Sequence, residues 1–277
     1  MNPGTALKRA LVGQVRGVFN DTQRGETPVV RQPDGLFGAE SVSWRVHGDV
    51  VTMMTGGVAA LLLQMLHPAV LAGVWDHSAF RHDMLGRLRR TARFIAVTTF
   101  DSREAAEAVI DRVRDVHLRV RGVLPDGSPY AADDPRLLAW VHVTEAVSFL
   151  DAWIRYGEPR MRLADQDRYF AEFAIIAEKL GAAPIPRGRA EAQVLLEAMR
   201  GELVADTRTR EVARMVLDQP APNLALIPFQ KMVFGAAVDL LPDWAREMHG
   251  LGDARLTRPA TRIGTRTAAE MMRWAFR

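Results

Sequence analysis

The chain has 277 residues, of which 48% are hydrophobic and 25% charged, enough to build one substantial core in a soluble globular protein. Its net charge is only +3 and its basic residues alternate with acids, so nucleic-acid binding is not indicated. The absence of cysteine excludes disulfides, thiolate metal ligands and cysteine nucleophiles. Residues 1–20 are polar and basic without a long apolar run, so the default expectation is a cytoplasmic location.

The first part of the chain predicts a strap followed by a buried central helix. Residues 1–40 are poorly periodic, and we expect a short helix and a loop there. Residues 50–74 are long, apolar and almost uncharged, but Gly56 and Gly57 interrupt them and Pro68 kinks or ends a helix. This pattern favours a buried helix over a membrane span and leaves peripheral membrane contact open.

Helical signals continue along the chain. Helices are predicted over 46–66, 69–74 and 81–99. Asp101, with Glu104 three residues later, is the expected N-cap of a helix that Gly122 ends. A turn with a short hairpin is expected around Asp126 and Gly127.

The second half of the chain begins with the strongest helix signal. Asp134 and Pro135 predict a cap and a first helical residue, and Gly157 ends that helix after Tyr156. Further helices are predicted over 165–180, 189–203, 207–218, 226–240 and 243–249, with a last one from 257 or 267. Strand signals are scarce, so the sequence predicts a single all-α domain, residues 1–277, of about ten helices.

His117 is the most informative candidate site residue. It shares one helical stripe with Ala106, Ile110, Val113 and Val120. An imidazole on an apolar face is either hydrogen-bonded in the core or bound to a ligand there.

The preceding helix carries Arg87, Arg90 and Thr91 on one side. A buried arginine needs an anionic or carbonyl partner. A cavity with a histidine on one helix and arginine plus threonine on the next suits a haem, with the histidine on iron. The alternative is that Arg87 and Arg90 pair with surface acids such as Asp83.

Two further histidines lie in apolar surroundings. His142 lies in a strongly apolar helix, and His67 precedes Pro68. His142 and Glu145, three residues apart, could share a non-haem iron with His117, because two histidines and a carboxylate can hold Fe(II).

Five short motifs occur in a characteristic order. They are His67-Pro68, His77-Ser78-x-Phe80, Arg87-x-x-x-Thr91, His117-x-x-Val120 and Trp140-Val141-His142-x-Thr144. Together they resemble the mpaB and latex-clearing-protein (rubber oxygenase) family over roughly residues 40–252. The resemblance implies an all-α, globin-like fold that holds a b-type haem. It also implies an oxygenase that cleaves carbon–carbon double bonds of isoprenoid chains with O₂.

The resemblance also implies roles for individual residues. His117 would be the proximal iron ligand, Arg87 and Thr91 would lie on the distal side, and His142 would help to bind the cofactor. Where rubber-cleaving members have a lysine, this chain has Arg90, which stays protonated and is a poor iron ligand. The implied division is a strap (1–40), a family core (41–252) and a C-terminal helix (253–277).

The predicted function is a haem b oxygenase or related oxidoreductase that acts on a hydrophobic, unsaturated small molecule with O₂ or peroxide. One alternative is a carrier or sensor that binds haem or a hydrophobic ligand without turnover. The other is a non-haem iron enzyme that uses His117, His142 and Glu145.

Overall fold

The computed structural model describes residues 27–221, 223–252 and 258–276, together with Lys8, Gly13 and Gly25. Most of the predicted strap lies outside these residues, and the described stretch 27–40 is a loop. The helices are α1 (Val42–His47), α2 (Val50–Gln64), α3 (Pro68–His77), α4 (Met84–Phe100), α5 (Arg103–His117), α6 (Pro135–Tyr156), α7 (Leu163–Leu180), α8 (Arg189–Met199), α9 (Thr207–Leu217), α10 (Ile227–Leu240), α11 (Asp243–His249) and α12 (Arg258–Phe276). Short 3₁₀ turns lie at Arg200–Glu202 and Leu224–Leu226.

The centre of the fold is the contact between α2 and α6, the most extensive helix pair. A Cβ on Gly56 would lie 2.8 Å from the Ser148 carbonyl oxygen, so this glycine lets the two backbones approach. The predicted bounds of α6 are confirmed: the Asp134 carboxylate accepts from two backbone N–H groups, and Gly157 follows the last turn.

The predicted helix 46–66 is wrong, because the chain breaks at Gly48 and Asp49. The Asp49 side chain accepts from the Thr52 N–H at 2.9 Å and starts α2 as a new helix. Pro68 starts α3, which is bent by 104° from α2. The interruption predicted at the proline is therefore confirmed.

Two elements have the length and composition of a membrane span. They are α6 and the bent pair α2–α3. In α6, however, 72% of the apolar window is buried inside the protein. Nearly every residue of α2 is also buried, as expected of a central core helix.

Helices α4 and α5 form a hairpin joined by Asp101 and Ser102. Ser102, not Asp101, caps α5, since its Oγ accepts from the Ala105 N–H at 3.2 Å. The predicted end of α5 at Gly122 is also wrong, because α5 stops at His117. Gly122 instead allows Tyr130 to approach, since a Cβ would lie 2.5 Å from the Tyr130 hydroxyl.

The predicted hairpin after α5 is confirmed. Strands β1 (Arg121–Val123) and β2 (Pro129–Ala131) pair antiparallel, and Gly127 takes φ +89° in the turn between them. It is the only sheet in the described residues. The prediction of a single all-α domain is confirmed.

Candidate active site

The α4–α5 hairpin brings two predicted site residues to the same end of the fold. Arg87 lies near the start of α4, and His117 is the last residue of α5. In an antiparallel helix pair the start of one helix lies beside the end of the other, and α4 and α5 pack along each other. The segment after His117 continues into β1, and Val120, the residue before that strand, approaches Gly73 of α3.

His117 sits at the edge of the core and not in the middle of a buried face. Ala106 and Ile110 of the predicted stripe are buried, whereas Val113 and His117 are half-buried. The Nδ1 atom of His117 is buried and has no hydrogen-bond partner among the described residues. Burial lowers the pKa of His117, and the negative charge of Asp133 opposes this. The ring is therefore neutral at pH 7, the form that can bind a metal.

The three polar residues of α4 separate in the structure. Arg87 is half-buried and has neither an ion pair nor a hydrogen bond within the described part of the chain. Burial lowers its pKa, and the nearby charge of Arg90 lowers it further. Arg90 is exposed and pairs with Asp83 at 3.2 Å, the surface alternative left open by the sequence.

Thr91 is also exposed. The expectation that Arg90 and Thr91 share a buried face with Arg87 is therefore wrong. The reason is that the buried residues of α4, apart from Met84, all lie in its C-terminal half, where Ile95 and Thr98 enter the core. Of the three residues, Arg87 alone is positioned to meet an interior ligand.

The structure does not assemble the non-haem iron site. Within the described ranges, no three or more His, Asp or Glu side chains are close enough to hold a metal ion. His117, His142 and Glu145 all lie in those ranges. His117 ends α5, whereas the other two lie in the middle of α6, which packs mainly on α2.

His142, in the middle of α6, packs against α7. It is buried, its ring lies 5.0 Å from the Phe173 ring, and its Nε2 has no hydrogen-bond partner in the described structure. Burial lowers the pKa of His142 to about 4, so it is neutral. Such a side chain can border a cofactor without carrying charge.

Glu145 is a carboxyl group on the core helix whose shifted pKa sequence patterns did not indicate. Between Leu138 and Leu150, every residue of α6 is buried except Val141 and Glu145, which lie one turn apart on one face. Burial raises the pKa of Glu145 to about 7, although a hydrogen bond from Gln64 lowers it somewhat. Val141 and Glu145 therefore form a half-buried face in the middle of an otherwise buried stretch of helix.

His47 and His67 make structural contacts in the core, although the Nε2 of His67, like the Nδ1 of His249, is also buried without a hydrogen-bond partner among the described residues. His47 bonds Thr99 Oγ1 at 2.8 Å and the Tyr169 hydroxyl at 2.9 Å, and burial lowers its pKa to about 3. His67 caps α3, since its Nδ1 accepts from the Ala69 N–H. The His-Pro motif is therefore explained by the turn between α2 and α3.

The fold and site define an all-α domain in which a neutral histidine and an arginine, both without a partner among the described residues, lie at the same end of a helical hairpin. A family model described as the catalytic domain of the ER-bound oxygenases mpaB and B′ and of rubber oxygenase matches residues 44–274. The chain belongs to this family, which confirms the predicted resemblance and extends it beyond residue 252 into α12. No curated protein and no solved structure matches. The protein is thus an oxygenase that uses O₂ and a small-molecule substrate.

Proposed function

We propose that this oxygenase depends on haem b, which His117 would hold through its imidazole, and acts on a hydrophobic, unsaturated small molecule of the isoprenoid type. The observation that carries the proposal is the buried Nδ1 of His117, which has no partner in the described structure. A buried polar atom without a partner costs free energy unless a ligand satisfies it. The motifs shared with the family support the same residue.

The residues present fit a haem. A haem takes four nitrogen ligands from its own ring and needs one donor from the protein, so no cluster of three side chains is required. His117 offers a neutral imidazole, and Arg87 offers a cation without a counter-ion. When bound, the haem supplies the iron that activates O₂ or peroxide towards a carbon–carbon double bond.

The side chains of the chain have separate tasks in this proposal. His117 holds the cofactor at the end of α5. Arg87 donates N–H groups towards an anionic oxygen, either on the cofactor or on the oxidant. Arg90 stays with Asp83 on the surface, so lysine-like ligation of iron by this residue is not part of the proposal.

In this proposal the apolar substrate lies against the half-buried face of α6 that carries Val141. The buried residues of α2, which packs on α6, would keep water away from it. Packed apolar walls with a few polar groups are the usual setting for a small hydrophobic ligand. A cytoplasmic location and peripheral membrane contact stay predictions.

The test of the cofactor is the absorbance spectrum of purified protein and of two histidine variants. We expect a Soret band in the wild type, loss of most of that band in His117→Gly, and no change in His82→Ala, which removes an exposed histidine. Added imidazole should restore the band of His117→Gly, because it replaces the ligand without repairing any packing. Full haem content with an unchanged spectrum in His117→Gly would show that the assigned ligand is wrong.

The test of turnover is O₂ uptake with a pair of lipids that differ only in unsaturation. We expect uptake with the unsaturated member alone, and loss of uptake in His117→Gly. A protein that binds the lipid and haem but consumes no O₂ with either member would be a carrier.

A further inference from the structure

Trp75, half-buried near the end of α3, holds two cations. The guanidinium carbon of Arg81 lies 5.0 Å from the centre of its ring, and that of Arg208 lies 5.5 Å away. Arg81 follows α3, whereas Arg208 comes from the first turn of α9. Two distant parts of the chain therefore place positive charge on one indole.

Neither arginine has an acidic partner. In the part of the chain that the structure describes, Arg81 and Arg208 make no ion pair and no hydrogen bond. The indole N–H of Trp75 makes none either. Two guanidinium groups thus lie on one indole ring, and neither is bonded to an acceptor among the described residues.

The acids next to these donors in sequence are engaged elsewhere. Asp76 accepts a hydrogen bond from the Tyr130 hydroxyl at 2.9 Å. Asp83 accepts from the Gly86 N–H at 2.8 Å and pairs with Arg90, and Asp206 accepts from the Thr209 N–H at 2.8 Å. These bonds fix a hairpin and cap two helices. These acids are therefore held by other contacts, and none forms an ion pair with Arg81 or Arg208.

Helix stability does not explain Arg208. A cation in the first turn of a helix is opposed by the positive end of the helix dipole. Arg208 occupies this position in α9, which has eleven residues. A ligand with negative charge would turn this unfavourable placement into a favourable one.

We propose that Arg81 and Arg208, held on the ring of Trp75, form a clamp for an anionic oxygen group, a carboxylate or phosphate. Guanidinium groups bind such groups through paired, charge-assisted hydrogen bonds. The clamp lies at the junction of α3 and α4, just before Arg87, the other partnerless arginine of this region. It therefore deepens the proposed function and rests on it for the identity of the ligand, which carries the anionic group at one end.

Two ligands could supply this chemistry: a propionate of the cofactor or the acidic head of an amphipathic substrate. The first experiment addresses the substrate. Decanoate and 1-decanol share a chain and differ in charge, and their binding to the full-length protein is measured by calorimetry. We expect Arg81→Gln and Arg208→Gln each to weaken decanoate binding about tenfold while decanol binding stays constant.

The second experiment addresses the cofactor. Haem and haem dimethyl ester, which lacks the propionate charges, are titrated into haem-free protein, and the Soret band is followed. If the clamp binds a propionate, the wild type prefers haem over the ester by about tenfold, and both glutamine variants lose this preference. The control in both experiments is Arg162→Gln, which removes an exposed arginine paired with Asp165.

The outcomes separate the sources. A loss confined to decanoate assigns the clamp to the substrate head, and a loss confined to haem assigns it to a propionate. Arg81→Lys and Arg208→Lys keep the positive charge but lose the paired N–H donors of the guanidinium group. Their affinities for the ligand should fall between those of the wild type and the glutamine variants. The clamp is wrong if both glutamine variants match Arg162→Gln in both experiments. The decanoate result stands even if the protein takes up no haem, so failure of the clamp and failure of the cofactor proposal are distinguishable.

Discussion

Replacing Glu145 by glutamine should change the pH dependence of folding stability by a calculable amount. Burial raises the pKa of this carboxyl from 4.5 to about 7. A folded-state pKa above the unfolded one means that the native protein binds the proton more tightly. Its stabilising effect is therefore complete below pH 4.5 and is lost as the pH rises through 7. At 1.36 kcal/mol per pH unit, the loss between pH 4.5 and pH 8 is about 3 kcal/mol.

Glutamine keeps the size and the hydrogen bond but cannot ionise. We therefore expect the free energy of unfolding of Glu145→Gln, relative to that of the wild type, to rise by about 3 kcal/mol between pH 4.5 and pH 8. The assay is urea unfolding followed by circular dichroism at several pH values. Buried His47 and His142 titrate equally in both proteins, so their contributions cancel in the difference. Glu211→Gln, a change on the exposed face of α9, shows the general effect of losing one carboxylate.

A stability difference between Glu145→Gln and wild type that stays constant over this pH range would refute the reasoning. It would mean that water or a cation solvates the carboxyl in the native state. The half-buried face of α6 around Glu145 would then be wet and polar. It would be unsuited to a wholly apolar substrate.

Two further predictions concern the packing of α2, and urea unfolding tests both. Gly56→Ala should destabilise the protein by about 1–3 kcal/mol because the added Cβ meets the backbone of α6. In the control Gly57→Ala, the added Cβ lies 3.7 Å from the nearest atom, so this variant should be neutral or stabilising by up to about 1 kcal/mol. Equal losses would contradict the close approach. Asp49→Ala should cost about 2–4 kcal/mol because it uncaps α2 and leaves Arg273 unpaired. The control Glu270→Ala breaks an exposed ion pair and should change the free energy of unfolding by less than about 0.5 kcal/mol. Similar losses of stability in Asp49→Ala and Glu270→Ala would refute the structural role of the buried Asp49.

Local signals predicted the elements that short-range chemistry defines. Asp134, Pro135 and Gly157 set the ends of α6 because a cap, a fixed φ and a helix-ending glycine act within one turn. The turn at Gly127 was predicted for the same reason. The five motifs were sufficient to indicate the family, since their order is a property of the chain alone.

Local signals failed where a distant contact decides. The sequence predicted Gly122 as a helix end, but the position needs glycine because the Tyr130 side chain of the next strand lies against it. Asp101 and Ser102 are both good caps, and the hairpin geometry selects Ser102. A periodic stripe also placed His117 inside a helix, whereas the chain leaves the helix there.

The sequence by itself determined the all-α class, the family and the candidate histidine, because these depend on composition, periodicity and motif order. Only the tertiary structure decided that Arg87 lacks a partner while Arg90 has one. It also decided that burial raises the pKa of Glu145 and that two arginines meet at Trp75. Burial and pairing depend on residues far apart in the chain. No local pattern reports which of several arginines finds a carboxylate and which is left for a ligand.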